Sequence, residues 1–473
     1  MAQLPRPIPF VGVPRQRDVG SEDERYVNFL FERIANDPLR EHSINCVKRF
    51  GEENFSQPSG GAATGRGAHA WYATGKIYSV FGNRLYADTS AIGATLNSSS
   101  GMVSFLETPQ SGSELLIVSD GLDHYNVNTV DGVVTIDESD DSHFPTPSLA
   151  DIGYIDGYLV KAQSNGRLWN FDLGSYTSIG SASFLSVDTF AGDLVGFRIQ
   201  KDQIIALTQN RGEFFFNNGN PSGSPFLRID QNTLGVGCAA RQSIACSGEL
   251  MFFVGENSSD GGGGRAVWQI SSLGKVNDIS TPVINRFLDS EGTSISTCTS
   301  WAERIDGKLL YFLNLDSAER TFVYNVDLGL WSEASDTSGN KFNIVSVTSL
   351  NGTIYGQDAS NGRIYKLLPT VFQDSGSNFT CTIQTSRNGF GAPHMRKAED
   401  SLSIMGDTTT GNLVVSVSDN DYASFSATRN IDMSRKQKII YRMGGRFYER
   451  AHKFTYSDNY ALRLQAWIPQ ISL

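Results

Sequence analysis

One hairpin pattern recurs through the middle of the chain: a small turn, an apolar run, a polar turn, and a run that holds an aromatic residue. Seven copies occur, and they begin at Gly75, Gly112, Asp156, Lys201, Gly248, Asp306 and Asn351. Most copies start about 45 residues apart, which is typical of the four strands of a β-propeller blade. The linking segments contain apolar runs that supply the remaining strands. The pattern therefore predicts a β-propeller.

The number of copies favours seven blades, and six blades remain open if one copy belongs to a neighbouring element. A β-sandwich or a plain meander of hairpins is the alternative fold. Trp169, Trp268 and Trp331 occupy comparable positions in their hairpins. Large aromatic side chains commonly fill the space between packed sheets, so we expect these three to pack between blades rather than to form a ligand cage.

The pattern changes near Leu367. Beyond it, apolar and polar residues alternate in runs that begin at Thr380, Asp400, Asn412 and Ala461. A period of two predicts a second, antiparallel β domain. One helix is predicted over Glu22–Ala35, because four apolar residues there have helical spacing, namely Val27, Leu30, Phe31 and Ile34.

Composition narrows the class of protein. The chain has 473 residues, 47 glycines and 11% aromatic residues, which fits a globular β protein of two domains. A net charge of −11 argues against a general nucleic-acid binder. The five cysteines are scattered and contain no CxxC pair, which argues against a zinc site or a disulfide framework and fits a reducing cytosol. The chain shows no secretory signal and no long apolar run, so we expect no membrane insertion.

Sequence motifs give little support for catalysis. The six histidines lack metal-ligand spacing, and neither a G-x-S-x-G elbow nor a Walker loop occurs. The acidic run 137–141 lacks the glycine and the terminal glutamate of a calcium-binding loop. Asp419 and Asp421 could be an acid/base pair, but no other residues of a catalytic site support them. We therefore predict no catalytic residue, metal or cofactor. A propeller hydrolase remains an unsupported alternative, because propellers also host hydrolases.

Charge is distributed unevenly along the chain. Residues 432–456, called the basic segment below, carry seven cations and two acids, a net +5 that leaves −16 for the rest. The cations are Arg435, Lys436, Lys438, Arg442, Arg446, Arg450 and Lys453. Gly444-Gly445 disfavours a helix, so we predict a strand, a glycine turn and a second strand. Such a segment is either a solvated face or a docking surface for an acidic protein or DNA phosphates, and the residues alone leave these open.

The C-terminal order of residues resembles a known family. Three C-terminal features are similar to the end of the packaged-DNA stabilisation proteins. They are the run Tyr441-Arg442-Met443-Gly444-Gly445-Arg446, a strand ending at Ser457-Asp458, and a last strand over 462–467. These are also called tail hub or nozzle proteins and occur in short-tailed lambdoid phages and their relatives. Upstream, the run 415–422 resembles a Ser-x-Asp-Gly strand end of related tail proteins, with Asn420 in place of the glycine.

The N-terminus is similar to the same family. Glu24-Arg25-Tyr26-Val27-Asn28 stands where the family has Glu-Arg-x-Val-Asn, and Lys48-Arg49-Phe50-Gly51 stands at the entry to the first blade. The family's Tyr-Pro-Glu is Leu30-Phe31-Glu32 here, so only Glu32 is kept. The matched positions at both ends are Glu24, Arg25, Val27, Asn28, Glu32, Tyr441, Gly444, Ser457 and Asp458.

The resemblance implies an all-β structural protein of the virion tail, assembled in the host cytoplasm. Residues 1–65 would form an arm and part of a platform, 66–368 the propeller, and 369–473 the rest of an antiparallel β platform. Such proteins form a homohexameric ring below the portal and adaptor (head-completion) protein, retain packaged DNA, and carry tailspikes or fibres and a tail needle. Genomic DNA passes through the channel without sequence-specific binding. The cations would then pair with acidic residues of a neighbouring subunit or the adaptor. A propeller module that binds host-surface glycan is the alternative.

Overall fold

The computed structural model describes residues 7–11, 24–33, 44–108, 114–128, 132–136, 148–188, 192–220, 222–256, 264–271 and 274–473. The acidic run 137–141 lies outside these ranges. The N-terminal part contains five strands: β1 (Ile8–Pro9), β2 (Arg25–Val27), β3 (Phe29–Arg33), β4 (Ile44–Lys48) and β5 (Gly51–Ser56).

The first four blades follow in chain order, each a four-stranded antiparallel sheet. Their strands are β6 (Gly65–Trp71), β7 (Lys76–Phe81), β8 (Arg84–Ala87), β9 (Ser90–Thr95); β10 (Ser104–Thr108), β11 (Leu115–Ser119), β12 (His124–Asn128), β13 (Gly132–Ile136); β14 (Ser148–Ile155), β15 (Tyr158–Gln163), β16 (Arg167–Asn170), β17 (Phe184–Ser186); and β18 (Leu194–Gln200), β19 (Gln203–Thr208), β20 (Gly212–Asn217), β21 (Phe226–Leu234).

The next three sheets complete the propeller. They consist of β22 (Gly237–Cys238), β23 (Ala245–Ser247), β24 (Leu250–Glu256), β25 (Arg265–Ser271), β26 (Val276–Asp278); β27 (Thr299–Ile305), β28 (Lys308–Leu315), β29 (Arg320–Asn325), β30 (Leu330–Ala334); and β31 (Ile344–Leu350), β32 (Thr353–Asp358), β33 (Ile364–Leu368) with β5. One α-helix, α1 (Pro282–Ser290), lies between the fifth and sixth sheets, and two 3-10 helices are Arg241–Ser243 and Gly292–Thr297.

These seven sheets form a closed ring within the described part of the chain. Each neighbouring pair shares its own hydrophobic cluster, and β31 of the last sheet packs against β6 of the first. Trp169, Trp268 and Trp331 lie at three of these interfaces, which confirms their predicted packing between blades. Each of the seven repeated hairpins forms the two middle strands of one blade. The predicted propeller fold is confirmed.

The small turn that opens two of the repeats joins the first strand of its blade to the second. Asp306-Gly307 and Asn351-Gly352 both have positive φ at each residue, 50° and 74° in the first and 51° and 78° in the second. These are the conformations of tight two-residue hairpin turns, and glycine or asparagine adopts them at little cost.

The C-terminal strands complete a second domain, the platform. They are β34 (Cys381–Gln384), β35 (Lys397–Gly406), β36 (Asn412–Ser418), β37 (Arg429–Asp432), β38 (Ile439–Tyr441), β39 (Arg446–Phe447), β40 (Ala451–Tyr456) and β41 (Arg463–Ser472). One sheet runs β3-β4-β41-β35-β38, and β1 and β39 pair at its margins. The second runs β2-β34-β40-β36-β37. A shared core between the two sheets makes the platform a β-sandwich of both chain ends, as predicted.

Two details differ from the sequence prediction. The helix over Glu22–Ala35 is wrong in its described part, because residues 25–27 and 29–33 are strands. Phe29 and Phe31 lie in the platform core, while Leu30 packs against the propeller on the other face of the strand. Because this strand is buried on both faces, its apolar residues include a set with helical spacing. The predicted boundary at residue 65 assigns β5 to the arm, whereas β5 pairs with β33 and is the fourth strand of the last blade.

Candidate functional site

The N-terminal family motif lies where the platform meets the propeller. Strand β2 pairs with β34 of the platform and, through Val27 and Glu333, with β30 of the sixth blade. The platform sheet therefore continues the blade sheet. Arg25 reinforces this link with two hydrogen bonds to the Glu333 carboxylate, at 2.9 and 2.7 Å. Glu24 is half-buried at the start of β2.

Asn28 organises the junction one residue after β2. Its backbone has φ 58°, and its side chain amide donates to Ser335 Oγ and to the Thr380 carbonyl, both at 2.8 Å. The amide oxygen accepts from the Ser335 backbone N–H at 2.8 Å and from Arg49 Nε at 2.7 Å. Asn is among the few residues that adopt positive φ readily, so this position needs both its backbone and its side chain.

Arg49 is the buried cation of this junction, with 1% of its surface exposed. Its guanidinium donates to both Asp374 oxygens and to the carbonyls of Phe50 and Ser335. It also lies 3.7 Å from the centre of the Phe379 ring. A planar, bidentate and stacked guanidinium satisfies all of these groups at once, which lysine could not do.

An acidic residue beside this network has a perturbed pKa. Burial and the neighbouring Asp374 carboxylate raise the pKa of Glu52 to about 8. Glu52 is the second residue of β5, and its backbone bridges to Asp374. The Glu52 carboxyl therefore keeps its proton to a higher pH than an ordinary glutamate does.

Other family positions stabilise the platform itself. Glu32 pairs with Arg463 at 3.0 Å. The Asp458 carboxylate accepts from the Asn412 N–H at 2.9 Å, and its carbonyl accepts from Lys48 Nζ at 2.7 Å. Ser457 is exposed in the same turn. These contacts join the N-terminal and C-terminal segments into one sandwich.

The cations of the basic segment divide into buried and exposed groups. Arg450 is 1% exposed and pairs with the buried Glu399 and with Asp419, while it donates to the Gly444 carbonyl at 2.9 Å. Lys438 is 7% exposed and donates to Thr408 Oγ1. Both lie inside the platform, so their burial removes them from the predicted surface for docking.

The remaining five cations reach the surface to different extents. Lys453 is half-buried beneath the Phe425 ring, and Arg435 pairs with Asp432 at 3.0 Å. Lys436, Arg442 and Arg446 are exposed. Arg442 and Arg446 flank Gly444-Gly445, and both glycines have positive φ, as the predicted turn between two strands requires. The structure therefore brings Arg442 and Arg446 together on one loop.

A buried acid anchors this loop. Burial by itself raises the pKa of Glu399. The adjacent His452 and Arg450 outweigh this effect and hold the pKa of Glu399 below its ordinary value. His452 Nε2 lies 3.1 Å from Glu399, and the Glu399 carbonyl accepts from the Met443 N–H at 3.2 Å. Sequence inspection missed Glu399, Asp419, Glu333 and Asp374 as partners, because each is far from its cation along the chain and no local motif marks it.

Arg25, Arg49 and Arg450 each pair with a carboxylate that lies far away along the chain. Within the described ranges, no group of three or more His, Cys, Asp or Glu residues could hold a metal ion. No helix in those ranges is long and apolar enough to cross a membrane. What the two termini do build is a stiff junction and a basic surface loop.

Comparison with known proteins gives one family. The family model described as "Bacteriophage P22 Gp10, beta-propeller" matches residues 54–372, more than half of the chain. No curated protein sequence matches the chain.

Solved structures give only weak likenesses. The N-terminal domain of Nup159 is 10% identical with a TM-score of 0.40, covering 73% of this chain and 98% of that domain. Virginiamycin B lyase from Staphylococcus aureus is 10% identical with a TM-score of 0.42, covering 67% of this chain and 98% of that one. PorZ from Porphyromonas gingivalis is 10% identical with a TM-score of 0.38, covering 81% of this chain and 46% of that one. At these TM-scores the likenesses carry no argument about function.

Proposed function

Since the chain belongs to the bacteriophage P22 Gp10 β-propeller family, we propose that it forms the ring-shaped hub, or nozzle, of a short phage tail. The chain is a structural protein of the phage tail. In the proposal, identical subunits form a ring, of six copies by the resemblance, that extends the DNA channel below the portal and adaptor. The ring retains packaged DNA and carries tailspikes or fibres and a tail needle. The observation that carries the proposal is the family match over residues 54–372.

Charge supports the role of a DNA conduit. Outside the basic segment the chain carries −16, and a wall of that sign repels phosphates and lets DNA leave quickly. In the described ranges, exposed cations occur on both domains, such as Lys76 and Arg84 on the first blade and Arg442 and Arg446 on the platform loop. In the proposal, those of the platform loop bind acidic protein surfaces rather than line the channel. We expect no sequence-specific DNA contacts.

The propeller axis supports a channel between subunits rather than through one of them. Arg241, in the fifth blade, donates to the Met102 carbonyl beside the second blade at 2.8 Å and to Asp151 of the third at 3.0 Å. Arg198 of the fourth blade also pairs with Asp151. A side chain that joins the fifth blade to the second must cross near the axis, so it obstructs the centre at this level. In the proposal, DNA passes through the opening of the ring.

Light scattering of the purified protein, combined with electron microscopy of its particles, tests the proposal. We expect a closed ring of several subunits, formed by the chain alone or upon addition of the adaptor from the same phage. A monomer or a trimer in both conditions would overturn the ring. Incubation with host lipopolysaccharide provides the second arm, in which we expect the glycan to remain intact. Release of glycan fragments would favour the hydrolase alternative.

A further inference from the structure

The end of the platform sandwich distal to the blade junction has an open edge rich in arginine and tyrosine. In the described part of the chain, β37 and β38 are the last strands of their sheets. The arginines at this edge are exposed, as are two tyrosines and a methionine, at 67% for Tyr441, 53% for Tyr448 and 41% for Met395. We call this surface the basic edge, and its members are Met395, Arg396, Arg429, Tyr441, Arg442, Arg446 and Tyr448.

Contacts between neighbouring segments show that these residues form one surface. Arg429 Nη1 donates to the Tyr441 carbonyl at 3.3 Å. The Lys397 ammonium donates to the carbonyls of Tyr448 and Met395, at 2.7 and 3.0 Å, which draws two loops together. Arg446 lies opposite Ala398 in the β35–β39 ladder. Asp400 is an exposed acid among them, and its carbonyl accepts from the Arg442 N–H. The side chain of Glu449, next to Tyr448, is 43% exposed and pairs with Arg387.

The loop of the basic edge is held rigidly from inside. Arg450 donates to the Gly444 carbonyl while both of its carboxylate partners, Glu399 and Asp419, fix its guanidinium. The backbone N–H of Met443 donates to the Glu399 carbonyl. A loop ordered before binding loses less conformational entropy on association, so it binds more tightly.

The basic edge is suited to recognition through side chains rather than to addition of a strand. β38 has three residues and β39 has two, and the chain between them has positive φ at Arg442, Gly444 and Gly445. Short edges fringed with charge resist pairing with another strand. Exposed arginine, tyrosine and methionine are residue types enriched in protein interfaces.

From these observations we infer that the basic edge binds the acidic propeller surface of a second copy of this chain. This inference rests on the proposed ring. Head-to-tail association needs two different, complementary patches on one subunit. The chain has the opposite charges that such patches need, because the basic segment carries +5 while residues 66–368 hold 19 Lys or Arg and 32 Asp or Glu, a net −13. Arg442 and Arg446 would pair with carboxylates of the neighbouring propeller, and Tyr441 and Tyr448 would supply the apolar contact.

The test is the double variant Arg442→Glu with Arg446→Glu in the full chain. The control is Arg442→Lys with Arg446→Lys, which keeps the positive charge at the same two exposed positions. We expect the platform variant to lower the ring fraction at least about tenfold, since close interfacial charge pairs contribute at least that factor. The control should form rings like the unchanged chain. Arg446→Glu alone leaves Arg442, which has positive φ, unchanged. This single variant should show a smaller loss of the ring fraction, with an unchanged circular dichroism spectrum.

A mixing experiment separates the possible partners. A subunit that keeps its acidic patch but loses its basic edge can join a growing ring at one end only. Addition of the double variant, at a fifth of the concentration of the unchanged chain, should therefore yield open, truncated oligomers. If the double variant forms normal rings and loses only adaptor binding or only DNA retention, the inference is overturned while the ring stands. If the unchanged chain forms no ring with or without adaptor, the proposed function itself fails.

Discussion

Replacement of Arg49 by methionine tests whether its buried ion pair holds the platform on the propeller. The substitution keeps an unbranched stem over Phe379 but removes the guanidinium. Asp374, whose side chain is 10% exposed, then loses its bidentate partner, and the carbonyls of Phe50 and Ser335 lose a donor. The perturbation therefore leaves a largely buried carboxylate without its cation.

The expected magnitude follows from burial. Removal of one partner from a buried ion pair costs about 3–5 kcal/mol of unfolding free energy, because the remaining charge is left in a poorly solvated site. Arg435→Met provides the matched control, since Arg435 and Asp432 are 75% and 41% exposed. An exposed pair contributes about 0–1 kcal/mol. The difference between the two variants should thus exceed about 2 kcal/mol.

Urea unfolding followed by circular dichroism measures both variants, at one protein concentration because assembly shifts apparent stability. Hydrogen exchange with mass spectrometry locates the effect. We expect faster exchange in Gly51–Ser56 and Cys381–Gln384 for Arg49→Met, and no change there for Arg435→Met. A loss of stability no larger than that of the control, with unchanged exchange in both segments, would refute the idea that Arg49 joins the two domains.

Three further predictions concern single positions. The raised pKa of Glu52 means that the folded state holds a proton more tightly than the unfolded state, so stability should fall as pH rises from about 4.5 to about 8. Glu52→Gln should flatten that fall in a series of melting curves, and an unchanged slope would contradict the assignment. Gly51→Ala should destabilise by about 1–3 kcal/mol, because a Cβ there meets the Gln373 backbone at 2.2 Å, whereas Gly61→Ala, with nothing within 4 Å, should be neutral in the same melts. Arg450→Met should speed hydrogen exchange of residues 442–446, and equal exchange rates would show that the loop is ordered without it.

Sequence periodicity was sufficient to predict the propeller. Each repeated hairpin carries its own turn signal, such as Asp306-Gly307, and its own runs of buried residues, so the local rules repeat seven times and agree. The helix prediction failed at Phe29–Arg33 because that strand is buried on both faces. Apolar spacing reports burial, and it cannot show whether burial comes from one face of a helix or both faces of a strand.

The candidate site was predictable only in part. The motif residues Arg25 and Asn28 stood out by their resemblance, but their roles depend on Glu333 and Ser335, some 300 residues away along the chain. Arg450 looked like any other cation of the basic segment, yet it is 1% exposed. Burial and pairing depend on which distant strands meet, which no local pattern contains.

The sequence by itself determined the strand repeat, the all-β class and the separation of charge between the C-terminal segment and the rest of the chain. These are local or additive properties, since turn geometry, side-chain alternation and net charge need no knowledge of neighbours. The tertiary structure alone decided that β5 completes the last blade, that Arg49 and Arg450 are internal, and that Arg442 and Arg446 remain at the surface. The reason is physical: a cation's role depends on its solvation and its partners, and both arise only when sheets from opposite ends of the chain pack together.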